Sequence, residues 1–161
     1  MLLAGLGSAA LLLAALGFQH LAGLAPCTMC IWQRWPHVVA LGATALGLVA
    51  MPRLAAGLGA VTMLTGAGLA LFHVGVEQGW WEGPATCSAG DVSGLSTEAL
   101  MAQIMTAPIV RCDEIAWEFA GISMAGWNGL ISLALMAVWL IAITRPRRTM
   151  WDAQASSSAS Q

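Results

Sequence analysis

Lysine is absent from this 161-residue chain, and charged residues of every kind make up only 9% of it. A water-soluble domain carries about 25%, so a chain this poor in charge cannot cover itself with a hydrated surface. It also lacks a GxGxxG fingerprint following a strand, which removes a dinucleotide-binding domain from consideration. No histidine follows the CxxC pair, where Ile31 stands instead, and this excludes covalent haem attachment. The second pair of cysteines, Cys87 and Cys112, is not closely spaced as a four-cysteine zinc site would require. No basic stretch precedes the first apolar block, and that block exceeds a signal-peptide core, so it reads as a retained helix.

What the chain has in quantity is apolar sequence, 58% of its residues. This falls into four blocks, Leu2–Phe18, Ile31–Met51, Leu54–Val76 and Ile122–Ile143, nearly free of charge apart from Arg34. Crossing a bilayer as a helix takes roughly 17–25 residues. The last three blocks have that length, and the first reaches it if extended through Leu24. The expected fold is therefore an all-α membrane protein, a four-transmembrane-helix bundle with spans at 2–24, 31–51, 54–76 and 122–143. Residues 1–145 form its single domain. Small residues such as the Ala43-xxx-Gly47 pair suit close helix packing in lipid.

Four spans place both termini on one side. Arg53, Arg145, Arg147 and Arg148 share that side, opposed only by Asp152. The other side has Arg34 and Arg111 among seven acidic residues: Glu77, Glu82, Asp91, Glu98, Asp113, Glu114 and Glu118. The positive-inside rule makes the arginine-rich side cytoplasmic. All four cysteines then lie on the outer, periplasmic side of a bacterial inner membrane, where the environment oxidises thiols. The long outer loop, 77–121, opens on GWWEGP, two tryptophans suited to the interface. Ser96 is placed to cap a short helix in this loop, with Glu98 in its first turn. The stripe Leu100, Met101, Ile104 and Met105 suits either the bilayer surface or packing on the loop itself. Residues 146–161 read as a disordered cytoplasmic tail.

Four cysteines allow three pairings. Spacing favours Cys27–Cys30 and Cys87–Cys112 without fixing them. A Cys87–Cys112 bond would close a loop of 24 intervening residues, worth roughly 3 kcal/mol as a structural staple. A Cys27–Cys30 bond closes too short a loop to stabilise much, and its usual value is redox exchange. Pro26 and Cys27 mark a helix start, where free N–H groups favour a thiolate. Arg34, at i+4 from Cys30, shares a helix face with it. There it either snorkels to headgroups or favours negative charge on Cys30 and on an adjacent electron acceptor. A membrane dithiol with no nucleotide domain needs a lipid-soluble two-electron acceptor, and a quinone is what the architecture allows.

The stretch GFQHLAGLAPCTMCIWQRW (17–35) resembles the first-cysteine-pair region of the DsbB family, the bacterial disulfide bond formation proteins B. PATCS (84–88) and RCDEIAWEFAGISMAGWNGL (111–130) are similar to its second-pair region, and FHVGVEQGWW (72–81) resembles the end of span three in part of that family. The resemblance implies a protein-disulfide:quinone oxidoreductase with Cys27, Cys30, Cys87 and Cys112 as its catalytic residues. It implies that Cys87–Cys112 oxidises a periplasmic thioredoxin-fold partner, DsbA-like, with Cys87 the site of attack. Cys112 would engage Cys27, and electrons would pass through Cys27–Cys30 to ubiquinone or menaquinone. Cys30 would face the quinone and Arg34 would polarise its oxygen. Trp35 and His37 occupy the zone where a quinone ring would rest, and Pro36 should kink span two or cost it a backbone bond unless the first turn extends past it.

Other readings predict different chemistry. A paralogue dedicated to particular substrates would differ only in loop contacts. A membrane b-type cytochrome would use His20, His37 or His73 as haem ligands. A purely structural disulfide protein would have inert cysteines.

Overall fold

A computed structural model describes residues 1–84, 87, 95–106 and 110–144. Four long helices pack together: α1 (Leu2–His20), α2 (Thr28–Val49), α3 (Pro52–Glu77) and α5 (Met124–Thr144). A short α4 (Thr97–Thr106) and a two-stranded ribbon, β1 (Glu118–Phe119) and β2 (Ile122–Ser123), lie in the connection between α3 and α5. α1, α3 and α5 are long and apolar enough to cross a membrane. α2 is as long, at 22 residues, but carries Gln33, Arg34 and His37 in its first half.

Helix ends follow local chemistry more closely than the apolar blocks do. α1 stops at His20, not Leu24, because Gly23 turns the chain with φ +70 and the Leu24 N–H bonds back to the Phe18 carbonyl. α2 begins at Thr28, three residues earlier than expected, because Cys27 caps it: the Cys30 N–H donates to the Cys27 sulfur at 3.1 Å. Pro52 occupies the first turn of α3. Pro36 sits well inside α2, so the first-turn alternative fails and the Trp32 carbonyl loses its helical partner. The ring is buried against α3 at Gly66, where an added Cβ would stand 3.2 Å from it.

α3 is the central helix, packed most extensively on α5 and α2. Small residues make this possible. Ala40, Ala43, Ala56, Ala60, Met63 and Leu135 surround the fully buried Trp139, and a Cβ on Gly59 would come within 2.4 Å of that indole. Gly47, the other half of the small pair with Ala43, lies against Ala55 of α3. Large apolar side chains point outward instead, among them Leu3, Leu13, Val61, Leu64 and Leu71. Interior alanine and glycine with exterior leucine is the arrangement of helices solvated by lipid, and the protein is a multi-pass membrane protein.

The described residues are mostly helical, as expected, with one two-stranded ribbon that the sequence did not announce. Ala120 and Gly121 take consecutive positive φ values, 54 and 74, the conformation of a tight hairpin turn. Glu118 then pairs with Ser123 and Phe119 with Ile122. α4 is capped as expected, the Ala99 N–H donating to the Ser96 hydroxyl at 3.3 Å. Met101, Ile104 and Met105 of this stripe are exposed, and Leu100 is half-buried. Asp91 and the C-terminal segment with Arg145, Arg147, Arg148 and Asp152 lie outside the described residues.

Candidate functional site

The four cysteines meet at one end of the bundle. Cys27 and Cys30 form one disulfide, with Cα atoms 5.0 Å apart, and Cys87 and Cys112 form another, at 5.1 Å. Cys27, Cys87 and Cys112 share a buried apolar cluster with Met29 and Val76, and Cys30 packs against it. The Cys112 N–H donates to the Cys87 carbonyl, and the Cys87 N–H to that of Pro84. Residues far apart in the chain thus bring the two disulfides into one buried apolar cluster. Cys87 and Cys112 are 1% and 0% exposed, so both sulfurs are covered in this conformation.

A cavity of about 400 Å³ opens beside the first pair. It lies between α1, α2 and α5 and beneath the segment 110–119. Leu11, Leu12, Phe18, Trp117 and Ile131 make its walls largely apolar, while Cys30, Arg34, His37 and Asn128 place sulfur, cation and amide groups on its lining. Arg34 reaches across to α1, donating to the Gln19 side chain at 2.7 Å. Trp35, expected near the same zone, is 63% exposed and faces away. A row of rings, Phe18, Trp117, Phe119 and Trp127, runs along this side with successive centroids 5.2–6.3 Å apart.

Behind the disulfide runs a chain of buried polar groups that the sequence did not join together. His73 Nε2 faces the Cys27 sulfur at 3.7 Å. Its Nδ1 accepts from the Gln33 amide at 2.6 Å, which leaves Nε2 as the protonated nitrogen. The Gln33 oxygen accepts from Asn128 at 2.8 Å, and the Asn128 oxygen from His37 Nε2 at 2.9 Å. His37 Nδ1 lies 3.4 Å from the Ser8 hydroxyl. Three helices and α1 are linked by this one path. Both buried histidines are thus tied into this chain, His73 through Gln33 and His37 through Asn128, and His20 is exposed at the end of α1. Glu77 accepts from the Ser123 hydroxyl, which also caps α5 by accepting from the Gly126 N–H. On the outer surface, Arg111 donates to Asp113 at 3.0 Å and holds that carboxyl below the usual carboxylate range, chiefly through the hydrogen bond.

Gln33, Asn128 and Glu77 have no chemical role assigned from sequence, and His73 has only that of a candidate haem ligand. The available signal was polarity on apolar helices: Gln33 with His37, His73 with Glu77 and, in α5, Asn128 with Ser132, each pair at i, i+4. Such residues inside a membrane protein mark function by default.

Comparison with known proteins is consistent along the chain. The profile of the family described as Disulfide bond formation protein DsbB matches residues 1–142. A Disulfide bond formation protein B from Polaromonas sp. strain JS666 is 34% identical over 162 residues, covering 91% of this chain and 90% of that one. Another, from Shewanella amazonensis, is 34% identical and covers 84% of this chain and 83% of its own. A third, from Albidiferax ferrireducens, is 36% identical over 75% of each chain. With its paired cysteines set at the end of a helical membrane bundle, the chain belongs to the DsbB family of disulfide-bond-forming membrane oxidoreductases.

Proposed function

We propose that the protein reoxidises a DsbA-like thioredoxin-fold partner in the periplasm and passes the electrons to a membrane quinone. α2 serves as the fourth span, and both termini are cytoplasmic. One observation carries this reading: the two disulfides share a single buried cluster, and one of them, through Cys30, lines an apolar cavity together with Arg34.

The exchange proceeds by thiolate attack on disulfide sulfur. Once the Cys87 sulfur, covered in this conformation, is uncovered, a partner thiolate attacks it, breaking its bond to Cys112 and forming a mixed disulfide. The Cys112 thiolate attacks Cys27, and Cys30 leaves as a thiolate. The partner's second thiol then releases Cys87, completing the partner's own disulfide. Cys87 attacks Cys112, restores that bond and frees Cys27. The net result is one oxidised partner and a reduced Cys27–Cys30 pair. The Cys30 N–H directed at the Cys27 sulfur and the His73 N–H beside it favour the Cys27 thiolate as it departs. The cavity fits a quinone: its walls are apolar, its volume suits a single substituted ring, and Arg34 supplies a fixed donor. A bound quinone supplies a sink for two electrons and two protons. Arg34 and Cys30 would hold it, and the apolar walls would exclude water.

The test is quinone reduction by a reduced partner protein. Cys30→Ser should abolish it, and undiminished turnover would sink the mechanism. Arg34→Ala should raise the apparent KM for quinone by about tenfold or more, the loss of one charge-assisted hydrogen bond. An unchanged KM and kcat would remove Arg34 from the site.

A further inference from the structure

We propose that reduction of the Cys27–Cys30 bond creates a binding site for a thiophilic divalent cation of the zinc type, formed by Cys27, Cys30 and His73 with Glu77 at the fourth corner. The two sulfurs and a His73 ring nitrogen all lie within 4.8 Å of one another. The Cys27 sulfur is 3.7 Å from His73 Nε2, and tetrahedral zinc with ordinary bond lengths separates sulfur and nitrogen ligands by about 3.6 Å. A carboxylate oxygen of Glu77 stands 3.9 Å from the same nitrogen. All four residues line the one cavity, so an ion has a route to them. The ligands sit on rigid elements: the cysteines on the first turn of α2, and His73 and Glu77 one turn apart on α3.

The oxidised and reduced states differ decisively as ligands. Thiolates bind such metals, and disulfide sulfurs do not compete as ligands. Binding replaces the two thiol protons and the proton on His73 Nε2, which moves to Nδ1, so two protons are released and no electrons move. A metal-bound histidine must donate its other N–H to an acceptor. Gln33 is in contact with Nδ1, and turning its amide presents oxygen there. Asn128, His37 and Ser8 each offer a donor and an acceptor, so the chain behind Gln33 reverses with it. A ligated pair has no free thiolate to re-form its disulfide, and the cation arrests the protein in its reduced form. That arrest rests on the proposed relay; the binding itself does not.

The site is tested on the Cys87→Ser/Cys112→Ser protein in detergent, reduced with a phosphine, freed of reductant and titrated anaerobically with Co²⁺ and then Zn²⁺. The expected result is a cobalt–thiolate charge-transfer band saturating at one ion per chain, displaced by Zn²⁺ and absent from the oxidised protein. His73→Ala should weaken binding by at least about tenfold, and Glu77→Gln by a smaller factor. A reduced protein without the band, or equal binding by the oxidised protein, overturns the site. Unchanged affinity in a His73→Ala protein that elutes like its parent does so too. Should His73→Ala fail to fold, the reduced-against-oxidised comparison and Glu77→Gln still decide. Quinone reduction by the unaltered protein is measured separately, so turnover without metal binding overturns the site and spares the relay.

Discussion

Gln33 is buried and has three polar contacts. It donates to His73 and to the Met29 carbonyl and accepts from Asn128. Gln33→Leu keeps the bulk but strands a ring nitrogen and an amide, each costing about 1–3 kcal/mol when buried unpaired. We expect a clear fall in the thermal midpoint in detergent, and an unchanged midpoint would show that the chain adds nothing to stability. The Arg111–Asp113 pair acts on a different axis. Asp113 has a lowered folded pKa, so its contribution is present above the unfolded carboxylate value, about 3.9, and is lost as pH falls through the lower folded value. Amide exchange around Cys112 should therefore quicken only in strong acid, and quickening near pH 6 would assign the loop's hold to another group. The Cys27–Cys30 pair and the place of Arg34 one turn further on were legible in the sequence because both spacings are local. The polar chain was not, because Gln33 meets His73 across 40 residues and Asn128 across 95, and only packing brings them together.

Elements show the same division between local and distant causes. Apolar blocks located the long helices, yet Gly23, Cys27 and Pro52 set their ends. The ribbon escaped notice because two-residue strands carry no periodicity, and Ala-Gly is a weaker turn signal than Asn-Gly. Its Ala120 holds a left-handed conformation at a cost of roughly 1 kcal/mol. Ala120→Gly should therefore stabilise the protein by up to about 1 kcal/mol, less the glycine's added freedom when unfolded. A lowered thermal midpoint would mean that the methyl group has a packing role. Gly59 offers the opposite case. Any side chain there meets the Trp139 ring, and Gly59→Ala should destabilise the α3–α5 contact by about 1–3 kcal/mol, seen as a lowered midpoint with the cysteine end intact.

At the scale of the whole molecule, charge placement gives an expected orientation where net charge, at −2, gives none. The proposed topology is checked by alkaline phosphatase fusions, which should be active after Glu82 and inactive after Met51. The reverse pattern would invert the molecule and place its thiols in a reducing compartment. The uneven packing of the four long helices has its own consequence. α3 is gripped by α2 and α5, whereas α1 touches its neighbours more sparingly and walls one side of the cavity. An acceptor reaching that cavity past α1 arrives from lipid, without passing through the aqueous phase. The concentration governing saturation is then its mole fraction among the lipids. Diluting the same quinone into more bilayer, at constant molarity in the tube, should slow the protein as effectively as withholding it.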